Sequence, residues 1–155
     1  MQKITPFLWY DTQAEEAVNF YISIFKDSKI KTVTRYADVG PGEKGKVMTV
    51  DFELNGQNFV AINGGPVFKF TEAISFVINC DTQEEIDYYW DKLSGGGQIQ
   101  ECGWLKDKYG LSWQVVPSII GEVMRNAGPG KINKIMGEIL KMKKLNIEAI
   151  KKAAE

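Results

Sequence analysis

Hydrophobic and polar positions alternate most cleanly over Val47-Met48-Thr49-Val50-Asp51-Phe52-Glu53-Leu54. Met48, Val50, Phe52 and Leu54 point one way and Val47, Thr49, Asp51 and Glu53 the other, the period of a strand with one face on a core. Asn55-Gly56 and then Gln57 to Asn63 follow. Asn-Gly between two β-rich runs predicts a two-residue hairpin. Helical spacing replaces alternation at Ala14, Ala17, Val18, Tyr21 and Phe25, and again at Ile86, Tyr89, Trp90 and Leu93. Each stripe is wide enough to cover one face of a sheet.

These segments recur in the same order. Ile4 to Tyr10 is an apolar run followed by Asp11-Thr12-Gln13-Ala14-Glu15-Glu16-Ala17 and Phe20-Tyr21, and Ile74 to Cys80 is followed by Asp81-Thr82-Gln83-Glu84-Glu85-Ile86 and Tyr89-Trp90. Thr12 with Glu15, and Thr82 with Glu85, have capping-box spacing, so each run predicts a strand leading into a capped helix. Lys31 to Ala37, a Gly/Pro loop at 40–45, and the hairpin complete the first copy. Gly95-Gly96-Gly97, Gln98 to Lys106, the turn Tyr109-Gly110 and Leu111 to Val116 complete the second. The expectation is an α+β fold of two paired βαβββ modules, about 4–64 and 72–117. Aligning Asp11 with Asp81 puts Ile4 against Ile74 and Leu8 against Ile78 on the helix side. Thr5 then matches Ser75, and Trp9 matches Asn79, on the opposite side. Two sheets carrying Thr, Ser, Asn, Asp and Trp on such faces would enclose a part-polar cleft between the modules.

Beyond Pro117 the β pattern stops. Ser118 to Arg125 reads as a short helix ended by Gly128-Pro129-Gly130, so residues 1–130 form one expected domain. Ile132, Ile135, Met136, Ile139 and Leu140 then make an amphipathic helical tail over 131–155, whose last segment starts at the N-cap candidate Asn146. The tail holds seven Lys against three Glu, a charge of +4, which leaves -5 on the rest. A membrane or partner helix is one reading of a basic amphipathic stretch; a stripe packed on the core or a second subunit, with solvated lysines, is the other.

Composition narrows the chemistry. The 155 residues contain no His, which removes imidazole-based triads, His general bases and His-ligated zinc. A net charge of -1 argues against nucleic acid as a partner. No apolar run approaches the roughly 20 residues that span a bilayer, and the first residues lack a signal-peptide layout. The expectation is a cytoplasmic protein without a membrane partner, with Cys80 and Cys102 as free thiols rather than a bridge.

Several motifs together resemble the vicinal oxygen chelate superfamily (glyoxalase, bleomycin resistance, dioxygenase), specifically its PhnB-like branch, often labelled 3-demethylubiquinone-9 3-methyltransferase. They are Asp11 to Ala17 with Phe20-Tyr21, Leu54-Asn55-Gly56-Gln57, Asn63-Gly64-Gly65-Pro66, Asp81 to Trp90, and Cys102-Gly103-Trp104-Leu105-Lys106-Asp107-Lys108-Tyr109-Gly110-Leu111-Ser112-Trp113-Gln114-Val115-Val116-Pro117. The resemblance covers about residues 4–117 and implies the paired-module fold and a homodimer. In metal-using members, His and Glu from facing strands hold a divalent cation. The Glu position of the last strand falls here on Gln114, and the opening strands carry Thr5, Phe7, Trp9 and Ser75, Val77, Asn79. Neutral amides and hydroxyls are weak zinc or nickel ligands, so no metal and no cofactor are expected. The methyltransferase label finds no support in the residues. No Gly-x-Gly-x-x-Gly turn opens a helix, and no doubly wound pattern holds a methyl donor's nucleotide.

The candidate ligand-binding residues are Trp9, Thr49, Asp51, Ser75, Asn79, Trp104 and Gln114. Gln114 would face the cleft if Trp113 packs under a helix; equally, neighbouring backbone would satisfy it. Asp51 in a part-apolar cleft would have a raised pKa suited to proton transfer, or be an ordinary strand carboxylate. Trp9 and Trp104 are stacking platforms or packing groups. Cys102 near Lys106 lacks an evident base for nucleophilic work, and the 37–46 loop is a lid or a plain hairpin loop. Three functions remain open: metal-free binding of a small metabolite, a lyase or dioxygenase with an atypical site such as Asp51, Glu53 and Gln114, and a homodimeric interaction protein.

Overall fold

A computed structural model describes residues 2–155. Met1, where the expected domain begins, lies outside the described residues. The chain forms two compact units, one ending at Phe70 and the other spanning Thr71–Glu155.

The first unit contains β1 (Phe7–Tyr10), α1 (Ala14–Ile24), β2 (Lys29–Arg35), β3 (Val47–Leu54) and β4 (Gln57–Asn63). The sheet order is β1-β4-β3-β2, with β1 parallel to β4 and the other neighbours antiparallel. Leu54 pairs with Gln57, and the expected turn between them has Asn55 at φ 47° and Gly56 at φ 83°, a left-handed pair that suits the twist of a hairpin. Val50, Phe52 and Leu54 pack under α1 through Ala14, Ala17, Val18, Tyr21 and Ile24, all buried. Phe52 stacks on Phe59 with 5.4 Å between centroids, and the buried Tyr10 and Tyr21 hydroxyls meet at 3.0 Å.

The second unit repeats this plan with β5 (Phe76–Cys80), α2 (Gln83–Ser94), β6 (Gln98–Ile99), β7 (Trp104–Lys106) and β8 (Ser112–Pro117), in the order β5-β8-β7-β6 with β5 parallel to β8. Ile86, Trp90 and Leu93 of α2 are buried, as are Leu105, Trp113 and Val115 of the sheet. Then follow α3 (Ile119–Asn126), α4 (Pro129–Ile139) and α5 (Ile147–Ala153). Ile135, Ile139, Leu145 and Ile150 form a buried cluster with Cys102 and Val116 packed on it, so residues 131–155 belong to the second unit.

Three local expectations are corrected. Strand structure begins at Phe7 and Phe76, and Ile4 and Ile74 stand 87% and 62% exposed instead of joining the helix-side core. The run from Gln98 to Lys106 is broken by a turn with Cys102 at φ 57° and Gly103 at φ 83°, because the Cys102 and Gly103 amides donate to Met142 and Lys143 carbonyls at 2.9 and 2.7 Å. The Thr82 capping box forms: the Glu85 amide donates to Thr82 Oγ1 at 3.2 Å, and the Glu85 carboxylate accepts from the Asp81 amide at 2.7 Å. Its Thr12 counterpart does not. The first amide of α1, that of Ala14, donates instead to Asn63 Oδ1 at 2.8 Å, a cap supplied by the end of β4.

Candidate functional site

Because side chains alternate along strands, each sheet has one face under its helix and one facing away. In the first unit the far face carries two rows in register, Phe7–Val60–Asp51–Thr32 and Trp9–Ile62–Thr49–Thr34. Trp9, Thr49 and Asp51 therefore share a face. Thr49 Oγ1 lies 2.6 Å from Thr34 Oγ1, a cross-strand hydroxyl pair. The Trp9 indole N–H donates to the Gly65 carbonyl at 2.9 Å, and Phe68 packs edge-on to its ring at 5.0 Å, so the segment after β4 already holds the ring. Half-buried Asp51 lines a groove of about 390 Å³ with Gln2, Thr5, Lys31 and Asn58, in which Lys31 Nζ donates to Asn58 Oδ1 at 3.0 Å.

In the second unit the far face carries the row Val77–Gln114–Trp104. The Gln114 amide donates to Ser75 Oγ at 2.9 Å, so three of the four candidates there, Ser75, Gln114 and Trp104, come together. Asn79 is the exception. It pairs with Val116, whose side chain packs on the tail cluster, and is itself exposed. Ser112, two residues before Gln114 and on the same face, is buried, and its hydroxyl has no hydrogen-bond partner among the described residues. Lys106 on this face is held at 2.6 Å by Glu72. The Lys106 ammonium, then the Glu72 backbone and Gln100, lower the Glu72 carboxyl to about 2.

The residue set does not fit the divalent cation that the resemblance implies. Gln114 is neutral and already engaged with a hydroxyl, and the described residues hold no group of three or more His, Cys, Asp or Glu able to share an ion. Metal affinity requires anionic or imidazole donors to offset dehydration of the ion. Asp51 and Glu53 lie in the first unit and Gln114 in the second. Cys80 is buried, and burial, then Glu85 and Asp81, push its thiol up to about 12, which makes it a core group rather than a nucleophile.

Two features escaped sequence reasoning. Asp107, buried, accepts from the Tyr109 and Leu111 amides at 2.8 and 3.1 Å and from the Trp113 indole at 2.9 Å, and so organises the turn into β8. The Asp-x-x-Gly stretch was its visible signal. The second is a cavity of about 570 Å³ in the first unit, lined by the start of α1, by Tyr36 and the 41–47 segment, and by Asn63-Gly64-Gly65. Its walls come from loops, which carry no periodicity to reveal that they converge.

The comparisons agree with this architecture. The family described as 3-demethylubiquinone-9 3-methyltransferase matches residues 2–116. The PhnB protein of Bacillus cereus is 44% identical with a TM-score of 0.69, over 75% of this chain and 99% of that one. Protein PA1353 of Pseudomonas aeruginosa is 20% identical, TM-score 0.63, over 74% and 96%. The fosfomycin resistance protein FosX of Mesorhizobium loti is 10% identical, TM-score 0.56, over 81% and 100%, a likeness of fold. No curated protein matches the chain. With two βαβββ units, that family match and a 44% identical PhnB relative, the chain belongs to the PhnB-like family described as 3-demethylubiquinone-9 3-methyltransferase.

Proposed function

We propose that this protein binds a small, partly apolar metabolite through neutral hydrogen-bonding groups and without a metal ion. The observation that carries the reading is the far face of the second sheet. Gln114 and Ser75 form a neutral donor–acceptor pair, Ser112 brings a buried hydroxyl with no partner among the described residues, and Trp104 lies in register beside them. Buried polar groups in native proteins are nearly always satisfied, so an unpaired hydroxyl next to an adaptable amide is a place for a ligand's polar atom. Apolar contact area is available on the same face, where Val77 is 50% exposed. Methyl transfer gains no support: four-stranded sheets with a first strand parallel to the last lack the doubly wound layout that seats a nucleotide-bearing methyl donor.

The test is a melting-temperature screen of the full chain against small conjugated and polar metabolites, run in chelator and again with divalent metals, alongside elemental analysis of untagged protein. A ligand that stabilises in chelator, with its effect growing with concentration and its dissociation constant weakened at least tenfold in Gln114→Leu, is the expected outcome. Stoichiometric metal, or stabilisation only when metal is present, overturns it.

A further inference from the structure

The cavity of about 570 Å³ in the first unit lies outside the preceding reading, and its size is that of an organic-ligand pocket. Its floor is rigid. Tyr36 is only 7% exposed and its hydroxyl donates to the Asn63 carbonyl at 2.5 Å. The Asn63 side chain donates to the Val47 carbonyl at 3.1 Å while accepting from the Ala14 amide. Two glycines keep the walls thin: a Cβ at Gly42 would come within 2.1 Å of the Tyr36 ring, and one at Gly64 within 2.2 Å of the Trp9 ring. The 36–46 loop is tied at its base by the Tyr36 amide to the Lys46 carbonyl and the Gly45 amide to the Tyr36 carbonyl, at 2.9 and 2.8 Å.

The rim sets the ligand's charge. Asp11, Glu15 and Glu43 line the cavity together with Lys46, and none of these four side chains has an ion-pair or hydrogen-bond partner among the described residues. Three carboxylates against one ammonium leave -2, and the positive end of α1 returns only about half a charge. A cation is therefore favoured over an anion. The carboxylates form no group able to share a metal ion, so the complement is charge carried on an organic frame that spans the space between them. We propose that this cavity binds a small organic amine, its ammonium groups against Asp11, Glu15 and Glu43 and its aliphatic part over Tyr36, Pro41 and Val47. The inference is independent of the neutral site on the second sheet.

Titration calorimetry at low salt with three probes of matched length tests it: 1,4-diaminobutane, 1,4-butanediol and succinate. Binding of the diamine alone is expected. Its affinity should fall at least about fivefold in Asp11→Asn/Glu43→Gln, the scale of two exposed ion pairs, and should hold in Glu148→Gln/Glu155→Gln, an equal charge change in the tail. Lys46→Gln should tighten it, because a competing cation leaves the rim. Absence of diamine binding at millimolar concentration, equal binding of the diol or succinate, or equal loss in the tail variant overturns the proposal. A Gln114→Leu protein that keeps its diamine affinity while losing the neutral ligand separates this site from the other.

Discussion

Asp107 gathers two backbone amides and an indole N–H around one buried carboxylate, each bond between 2.8 and 3.1 Å. Charge-assisted bonds of this kind are stronger than neutral ones, and removing the acceptor leaves the donors buried without partners. Asp107→Ala is expected to lower unfolding free energy by about 3 kcal/mol, read from the urea midpoint at unchanged slope. A change below 1 kcal/mol would mean that water replaces the carboxylate. The motif from Cys102 to Pro117 therefore divides by residue. Asp107 and Trp113 build the turn and core, and Gln114 with Trp104 faces away from α2. Strand alternation made that division legible for Gln114 and Trp113. For Asp107 the Asp-x-x-Gly stretch marked a turn and no more, because a single Asp in a turn looks the same whether it is solvated or buried.

At the scale of elements, two nearly identical strand-to-helix motifs behave differently. Thr82 caps α2 with its own hydroxyl, whereas α1 starts at Ala14 under a cap from Asn63. Thr82→Ala should therefore cost about 1 kcal/mol, the ordinary worth of an N-cap. Thr12→Ala should stay within about 0.5 kcal/mol, and Asn63→Ala should cost about 2 kcal/mol because the side-chain bond to the Val47 carbonyl goes with the cap. Denaturant melts of the three variants check the order, and a Thr12 effect equal to that of Thr82 would contradict the structure. Gln83 shows a second divergence. It donates to the Leu145 carbonyl at 3.1 Å and accepts from the Ile147 amide at 2.9 Å, clamping the tail, while its repeat mate Gln13 makes no such contact among the described residues.

For the molecule as a whole, the tail matters most. Lys144 pairs with Asp87 at 2.9 Å, the Met142 and Lys143 carbonyls receive the Cys102 and Gly103 amides, and Ile135, Ile139, Leu145 and Ile150 are buried in the second unit. Burial of side chains of this size contributes about 2 kcal/mol each. Deleting residues 131–155 should lower the melting temperature by more than about 10 °C or yield insoluble protein. A truncated chain that melts within a few degrees of the full one would show the tail to be dispensable. No helix among the described residues is long and apolar enough to cross a membrane.

The sequence by itself determined the repeat, the hairpin at Asn55-Gly56, the bounds of β3 and β4, and which face of each sheet meets a helix. All of these follow from short-range periodicity and turn chemistry, in which each residue reports on neighbours two to four positions away. Only the tertiary structure decided that Asn63 caps a helix 49 residues earlier, that Gln114 pairs with Ser75 while Asn79 sits apart beside the tail-packed Val116, and that a Gly-rich loop, a bend and a helix start enclose one cavity. Those are contacts between chain segments far apart in sequence. Loops obey no period, and a hydrogen-bonding side chain can be satisfied by any of several partners until packing selects one.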